Sequence, residues 1–132
     1  KYKVGDAGDE NADRRNYTGI QQGVNGSHYI FKNGRPTPFL YTVTQDDHTM
    51  VCHTKNDDMI LLTMTNCNAA MAAQAFMDLS LYAEDLYAYY GLNLDGGGSS
   101  TMYFNGRVVN EPVNHGSTVS ERSISDIVYI GY

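Results

Sequence analysis

A run of three glycines after a short apolar stretch constrains this chain more than any other feature. The stretch from Gly91 to Asp95 alternates leucine with Asn93 and Asp95, and the glycines at 96–98 follow at once. Residues two apart in a strand share a face, so Asn93 and Asp95 are predicted to point the same way. Glycine is unfavourable inside helices and strands but suits tight turns and close backbone approach. We therefore predict a strand that delivers Asp95 to a loop of unhindered amide groups.

Hydroxyl residues extend this loop beyond the glycines. Ser99, Ser100 and Thr101 come before a second apolar stretch that is predicted as a strand over 101–104. A carboxylate beside glycine amides can hold an anion or a polar ligand. The run is not a nucleotide phosphate loop, because no Gly-Lys-Ser/Thr closes it. A tight turn built from ordinary loop residues is the alternative interpretation.

Charge and hydropathy exclude several classes of partner. The chain has 132 residues, enough for one domain with a proper core, and a net charge of −6 from 9 basic and 15 acidic residues. Nucleic acids and anionic membranes are bound through clustered Lys and Arg, so neither is expected as a partner. No apolar run approaches the roughly 18 residues of a membrane span, so no membrane insertion is expected.

The two cysteines favour neither a disulfide framework nor a metal site. Cys52 and Cys67 are too few for a framework, although one disulfide stays possible. A zinc site that adds His48 and His53 would lack paired close spacing. We expect two reduced, buried thiols, no metal and no cofactor.

Polar connections divide the first half of the chain. Residues 1–16 have no periodicity and few apolar residues, so they are predicted to be an exposed lead-in or linker before a domain over 17–132. Strands at 40–44, 49–54 and 59–64 form a predicted antiparallel meander. The four-residue turns between them hold the acids Asp46, Asp47, Asp57 and Asp58, which we interpret as turn formers.

A helix is predicted from Ala69 to Tyr90. Asn68 can cap it, strong helix formers fill it, and apolar residues recur at three- and four-residue steps. Gly91 is well placed to end it. Further strands are predicted at 107–109 and 123–132. The resulting fold class is α+β, with a mixed, mostly antiparallel sheet and one long helix packed on it.

The stretch from Asn93 to Met102, Asn-Leu-Asp-Gly-Gly-Gly-Ser-Ser-Thr-Met, resembles the signature of the phosphodiester glycosidase family. Downstream, residues 105–110, Glu121-Arg122 and 125–130 are similar to later segments of that family. The resemblance covers about 91–131 and is looser before. It implies hydrolysis of the bond between an anomeric carbon and a phosphodiester, with a sugar phosphate or a glycan as the partner.

Two stretches depart from the family pattern. Family members carry an Arg-Thr-Ala-Ile-Gly-like strand and an Asp-Gly-Arg-like segment ahead of the helix. The corresponding stretches here are 40–44, with Tyr41 in place of the arginine, and 65–68, with neither an acid nor an arginine. These losses favour a rival hypothesis, a non-catalytic carbohydrate- or phosphoglycan-binding module of a cell-surface or virion tail protein. The intact stretch 93–98 favours the enzyme.

The resemblance assigns roles to particular residues. Asp95 and Glu121 are the predicted catalytic carboxylates, and the planar fork of Arg122 matches a phosphate. We predict that Asp95 and Arg122 converge on one pocket, whereas an exposed ion pair in a polar loop is the alternative for Glu121 and Arg122. The residues predicted to contact substrate are Asn93, Gly96, Gly97, Gly98, Ser99, Ser100, Thr101, His115 and Arg122.

The first residue of the sequence and the suggested substrate indicate the context in which the chain works. It begins at Lys1 without a methionine, so we expect it to be part of a larger polypeptide or assembly. The resemblance implies an extracytoplasmic, cell-surface or virion-associated location.

Overall fold

A five-stranded antiparallel sheet forms the centre of the molecule. The computed structural model describes residues 24, 26, 28–37, 45–82, 87–114 and 118–131. The strands of the sheet are β1 (His28–Lys32), β2 (Arg35–Pro36), β3 (Asp46–Thr54), β4 (Met59–Cys67) and β5 (Ala88–Asn93). Their order is β2-β1-β5-β3-β4, and every pairing in it is antiparallel. The strand that carries Asn93 therefore lies in the middle of the sheet.

Two short hairpins follow the sheet. The strands β6 (Tyr103–Phe104) and β7 (Arg107–Val108) form one, and β8 (Val113–Asn114) and β9 (Thr118–Val119) form the other. The Asn-Gly pairs at 33–34 and 105–106, which are the sequence signal of a tight hairpin turn, each join two paired strands. Asn33 and Gly34 have φ of 54° and 72°, and Asn105 and Gly106 have φ of 48° and 83°. These positive angles are the ones that a tight hairpin turn requires.

The helix is shorter than predicted. It is α1 (Ala69–Tyr82), 14 residues long, and the predicted cap is confirmed because the Asn68 side chain accepts a hydrogen bond from the Met71 amide at 2.9 Å. The predicted continuation to Tyr90 is wrong, since residues 88–93 form β5. Tyrosine pairs fit a strand well. Gly91 does not end the helix but lies inside β5, where a Cβ atom would stand 2.8 Å from the Cys52 Sγ.

The predicted α+β class with a mixed sheet and a long helix is therefore wrong. The part of the chain that the structure describes is mostly antiparallel sheet, with one short helix that contacts β1, β4 and β5. The apolar spacing that suggested a long helix includes aromatic residues that a central strand accommodates equally well. Within the described residues no helix is long and apolar enough to cross a membrane.

The core lies between α1 and the sheet. Its buried apolar residues are Ile30, Phe31, Met50, Cys52, Cys67, Ala73 and Ala88, with Ile60, Leu62 and Met64 partly buried against them. Both cysteines are free and buried, as predicted. Burial raises the pKa of the Cys52 thiol to about 12, and burial together with the Asp47 charge raises that of Cys67 to about 11. Both thiols are therefore protonated and unreactive at neutral pH.

The predicted turns and the predicted last strand can also be compared with the structure. The turn predicted at 45–48 is wrong, because β3 begins at Asp46; the turn at 55–58 is found. The strand predicted at 123–132 is also wrong, since residues 120–131 have no regular structure and Ile127 and Ile130 are exposed. A strand requires a neighbour, and no described strand pairs with this segment. The predictions for 1–16, 40–44 and Tyr41 lie outside the described residues.

Candidate functional site

An open cleft lies where β5 ends and β3 begins. Because Met50 of β3 pairs with Asn93 of β5, the residues just before Met50 face those just after Asn93. The cleft has a volume of about 480 Å³. It is lined by Gly26, Asp46, Asp47, His48, Asn93, Leu94, Asp95 and Gly96. Asn93 and Asp95 thus line one cavity, but Leu94 lines it too and β5 ends at Asn93, so the predicted alternation of faces stays a prediction.

Asp95 and Arg122 meet at the rim of this cleft. The Arg122 Nη2 lies 2.9 Å from the Asp95 Oδ2 and also donates to the Ser99 Oγ at 2.7 Å and to the Gly96 carbonyl at 3.2 Å. The Arg122 Nε donates to the same Ser99 Oγ at 3.1 Å. The Arg122 Nη1 makes no hydrogen bond to any residue that the structure describes. One edge of the guanidinium is thus fixed and the other is open.

The contacts of Asp95 keep its carboxylate ionised. Its pKa lies below the ordinary range, and the largest cause is a hydrogen bond with the Ser99 side chain. The Gly96 amide, 2.9 Å from the Asp95 Oδ1, and the Arg122 charge lower the pKa further, while partial burial opposes them. The side chain is 73% exposed, so solvent screens these contacts. At neutral pH the group is a carboxylate that can accept hydrogen bonds or a proton.

Two of the three glycines, Gly96 and Gly98, pack against the protein's own backbone. A Cβ on Gly96 would stand 2.6 Å from the Asp47 carbonyl oxygen, and one on Gly98 would collide with the carbonyl oxygen of Ser120. Gly97 is buried and has φ of 60°. The Gly98 carbonyl accepts the Arg122 amide at 2.7 Å. The glycines therefore bring the 120–122 segment and its arginine to the cleft; contact of their backbone with substrate stays a prediction.

The hydroxyl residues after the glycines face different surroundings. Ser99 lies between Asp95 and Arg122, as described above. Ser100 is fully buried and accepts a hydrogen bond from the Thr49 hydroxyl at 3.0 Å, so it joins the loop to β3. Thr101 is exposed. The Asn110 side chain fixes the loop by donating to the Ser100 carbonyl at 2.5 Å and accepting from the Met102 amide at 2.7 Å.

Glu121 and His115 are the remaining predicted site residues. Glu121 is exposed, and its carboxylate makes no hydrogen bond or ion pair with any described residue, so the structure does not place it with Asp95. Its catalytic role stays a prediction. His115 lies outside the described residues.

Sequence reasoning missed His48, which lines the cleft beside Asn93. The His48 Nδ1 is 3.0 Å from the Asn93 Oδ1, and the Asn93 Nδ2 donates to the Leu94 carbonyl at 2.9 Å. The His48 Nε2 is buried and has no hydrogen-bond partner among the described residues. A buried polar atom without a partner costs about 1–3 kcal/mol, which makes this atom a candidate for a functional contact.

Asp47 is the second residue that sequence reasoning missed. It is 1% exposed, and its two carboxylate oxygens accept the backbone amides of Asn66 at 2.9 Å and Val113 at 2.7 Å. It therefore ties β3 to the end of β4 and to β8, next to the cleft. Nothing in the local sequence marks it, because its partners lie 19 and 66 residues away.

The comparisons with known proteins concern the family of the chain and not this arrangement. Among the described residues, no group of three or more His, Cys, Asp or Glu side chains could hold a metal ion. None of the curated proteins compared matches the chain. The model of the phosphodiester glycosidase family matches residues 3–131, which includes most of the predicted lead-in and leaves the boundary at residue 16 a prediction. Since the match spans nearly the whole sequence, this chain belongs to the phosphodiester glycosidase family.

Proposed function

We propose that this domain hydrolyses the bond between an anomeric carbon and a phosphodiester, in a sugar-1-phosphate diester or a phosphoglycan. Its family supports a glycosidase-type function. The observation that carries the substrate class is the pair formed by Asp95 and Arg122 at the rim of the cleft, which offers a carboxylate and an open guanidinium edge side by side.

Arg122 would bind the phosphate side of the substrate. Its Nη1 makes no hydrogen bond with described residues, while its Nε and Nη2 are held by Ser99, Asp95 and Gly96. A guanidinium fixed on one edge is oriented before the ligand arrives, which lowers the entropy that binding costs. The same charge would stabilise the negative charge that develops on the leaving phosphate.

Asp95 would act on the sugar side as a base or as an anchor for a hydroxyl. Its lowered pKa makes it a poor proton donor at neutral pH. A phosphate leaving group needs little protonation, so no strong acid is required. In the hydrolysis, a water oxygen bonds to the anomeric carbon and its proton passes to the Asp95 carboxylate. The bond from that carbon to the phosphate oxygen breaks, and its electron pair stays on the phosphate. Glu121 stays the predicted second carboxylate.

The test is a screen of sugar-1-phosphodiesters for released free sugar, followed by Asp95→Asn on the best substrate. This change keeps the shape but removes the charge and basicity, so kcat should fall by about 10²–10⁴ if Asp95 is a base. Asp126→Asn is the matched control, because this carboxylate is exposed and, among the described residues, hydrogen-bonds only with the neighbouring Ser125. Equal activity of both variants and the wild type would refute the role of Asp95.

Arg122→Lys tests the phosphate side separately. Lysine keeps the charge but loses the planar fork, so turnover of phosphodiesters should fall while turnover of simple aryl glycosides should not. The control is Arg107→Lys, since Arg107 is exposed in the β6–β7 hairpin. A parallel loss on both substrate types would contradict the assignment of Arg122 to the phosphate.

One observation favours a second candidate function, a carbohydrate- or phosphoglycan-binding module. The Asp95 side chain is 73% exposed at an open cleft, where solvent weakens electrostatic catalysis. Binding of sugar phosphates without release of free sugar from any diester would support this candidate. In either case we propose an extracytoplasmic location, at a cell surface or on a virion, where such polymers occur.

A further inference from the structure

The hydrogen bonds of Asn93 fix the protonation pattern of His48. The Asn93 amide nitrogen donates to the Leu94 carbonyl, so its oxygen is the atom that faces the His48 Nδ1 at 3.0 Å. An amide oxygen only accepts hydrogen bonds. The Nδ1 must therefore carry the proton, and in the neutral ring the Nε2 is left as an acceptor.

The residue that carries this acceptor lines the cleft, and none of the described residues donates to it. The His48 Nε2 is buried and has no partner within the described part of the chain. The neighbouring side chains in the cleft are Asp46 and Asp95, which accept hydrogen bonds through Oδ1 from the Asp47 and Gly96 amides, and the buried Asp47. A carboxylate cannot donate to an imidazole nitrogen. A hydroxyl group of a ligand bound in the cleft can supply the donor that the described residues do not.

We propose that the His48 Nε2 accepts a hydrogen bond from a ring hydroxyl of the bound sugar, and that Asn93 is a positioning residue that holds the imidazole in the required tautomer. This inference rests on the proposed function and makes His48 a determinant of which sugar binds. A buried acceptor built for one hydroxyl rejects an analogue that lacks it, because the acceptor then stays unpaired.

The tautomer can be checked on the wild-type protein without a substrate. Nitrogen-15 NMR of the histidine side chains distinguishes a protonated Nδ1 from a protonated Nε2 in the neutral ring. The expected result for His48 is the Nδ1–H form, and Asn93→Ala should shift the ring toward a mixture of tautomers. An Nε2–H form in the wild type would overturn the inference, because that nitrogen could not accept a hydroxyl proton.

The hydroxyl contact is tested by binding. The probes are the 1-phosphates of glucose, galactose, mannose and N-acetylglucosamine, measured by calorimetry, followed by monodeoxy derivatives of the tightest one. His48→Asn keeps a donor for Asn93 but removes the Nε2, whereas His48→Gln places an amide near the Nε2 position. Affinity should fall about tenfold in His48→Asn and recover in part in His48→Gln. For the wild type, one deoxy derivative should bind about tenfold more weakly than the parent sugar. For His48→Asn, the same deoxy derivative and the parent sugar should bind with equal affinity, because the contact that distinguishes them is gone.

The control is His53→Asn, a histidine on the same strand that bonds to Asp57 instead of facing the cleft. Its affinity should equal that of the wild type. Equal affinity of His48→Asn and the wild type would overturn the inference alone, whereas no binding of any sugar phosphate by the wild type would overturn the proposed function as well. Loss of turnover in His48→Asn at unchanged affinity would also overturn it, since it would make His48 a base and not a hydroxyl contact. If His48→Asn does not fold, the NMR result and His48→Gln decide.

Discussion

The strand β3 carries a histidine near each of its ends, and the two are held in different ways. His53 bonds through its Nε2 to the Asp57 carboxylate of the following turn at 2.9 Å. His48 bonds through its Nδ1 to a neutral amide and leaves a buried Nε2 without a described partner. His53 thus uses its Nε2 in a hydrogen bond, whereas the Nε2 of His48, on the same strand, has no described partner.

The surroundings of the two ends repeat this difference. At the His53 end, the Thr54 hydroxyl accepts the Asn56 and Asp58 amides, and the Tyr90 hydroxyl donates to the Asn33 side chain at 2.7 Å. At the His48 end, the cleft leaves a histidine acceptor and an arginine donor without described partners. Among the described residues, the polar side chains named above complete their hydrogen bonds at one end of the sheet, while two atoms at the other end do not, and functional sites are where local rules are expected to be broken.

The largest expected effect comes from Asp47→Ala at the cleft end. It removes the two hydrogen bonds that the buried carboxylate accepts from the Asn66 and Val113 amides, at about 1–3 kcal/mol each, so the free energy of unfolding should fall by about 2–6 kcal/mol. Denaturant unfolding measures it. The matched change is Asp58→Ala in the exposed turn at the other end, where a loss below about 0.5 kcal/mol is expected. Equal losses of unfolding free energy in the two variants would refute the difference between the two ends of the sheet.

Gly98→Ala should have the next largest effect. The added Cβ collides with the Ser120 carbonyl, so the 120–122 segment must move and carry Arg122 away from Asp95. Overpacking of this kind costs about 1–3 kcal/mol, and turnover should fall as well. Gly106→Asn is the control, because its Cβ meets nothing within 4 Å and asparagine tolerates the positive φ there. Unchanged turnover in Gly98→Ala would show that the position of Arg122 is irrelevant to the chemistry.

The pH dependence of turnover sharpens the role of Ser99. The folded pKa of Asp95 is lowered, so its charged form and the stability this form contributes are complete above the ordinary carboxyl range and are lost as the pH falls through the lowered pKa. Because the Ser99 contact is the largest cause, Ser99→Ala should move the acid limb of the kcat profile to higher pH. Ser125→Ala, which alters an exposed pair with Asp126, should leave the profile in place. An unmoved limb in Ser99→Ala would exclude Asp95 as the group that titrates.

Tyr90→Phe at the opposite end should have the smallest effect. It removes one exposed hydrogen bond to Asn33, so the free energy of unfolding should fall by only about 0.5–1 kcal/mol, and turnover should stay at the wild-type level. Tyr103→Phe, whose hydroxyl is highly exposed, is the reference for the loss of a hydroxyl alone. A clear loss of turnover in Tyr90→Phe would connect the two ends functionally and would refute the division between them.

Local sequence patterns predicted the parts of the molecule that depend on neighbouring residues. The Asn-Gly turns and the helix cap at Asn68 each follow from the properties of two or three nearby positions. The proximity of Asp95 and Arg122 was inferred from the resemblance to the family and not from spacing. It depends on the Gly98 backbone, which bonds to the Arg122 amide.

The errors arise where distant segments decide the structure. The polar run 45–48 has the composition of a turn, yet Asp47 is buried because amides from residues 66 and 113 surround it. The helix was extended to Tyr90 because its apolar spacing suits a helix, whereas β5 is selected by its pairing with β1 and β3 on both sides. No short window of sequence contains that information.

The contact between Asp47 and Val113, 66 residues apart, also bears on how this protein folds. The β3–β4 hairpin closes only a short turn, but β1 must find β5 across most of the described chain, and the Asp47 contact must close a loop of similar length. Long loops lose more entropy on closure, so such contacts tend to form late. Bonds that form after the folding transition state slow unfolding without speeding folding. The hydrogen bonds of Asp47 are therefore expected to lower the unfolding rate of the cleft while leaving its folding rate unchanged.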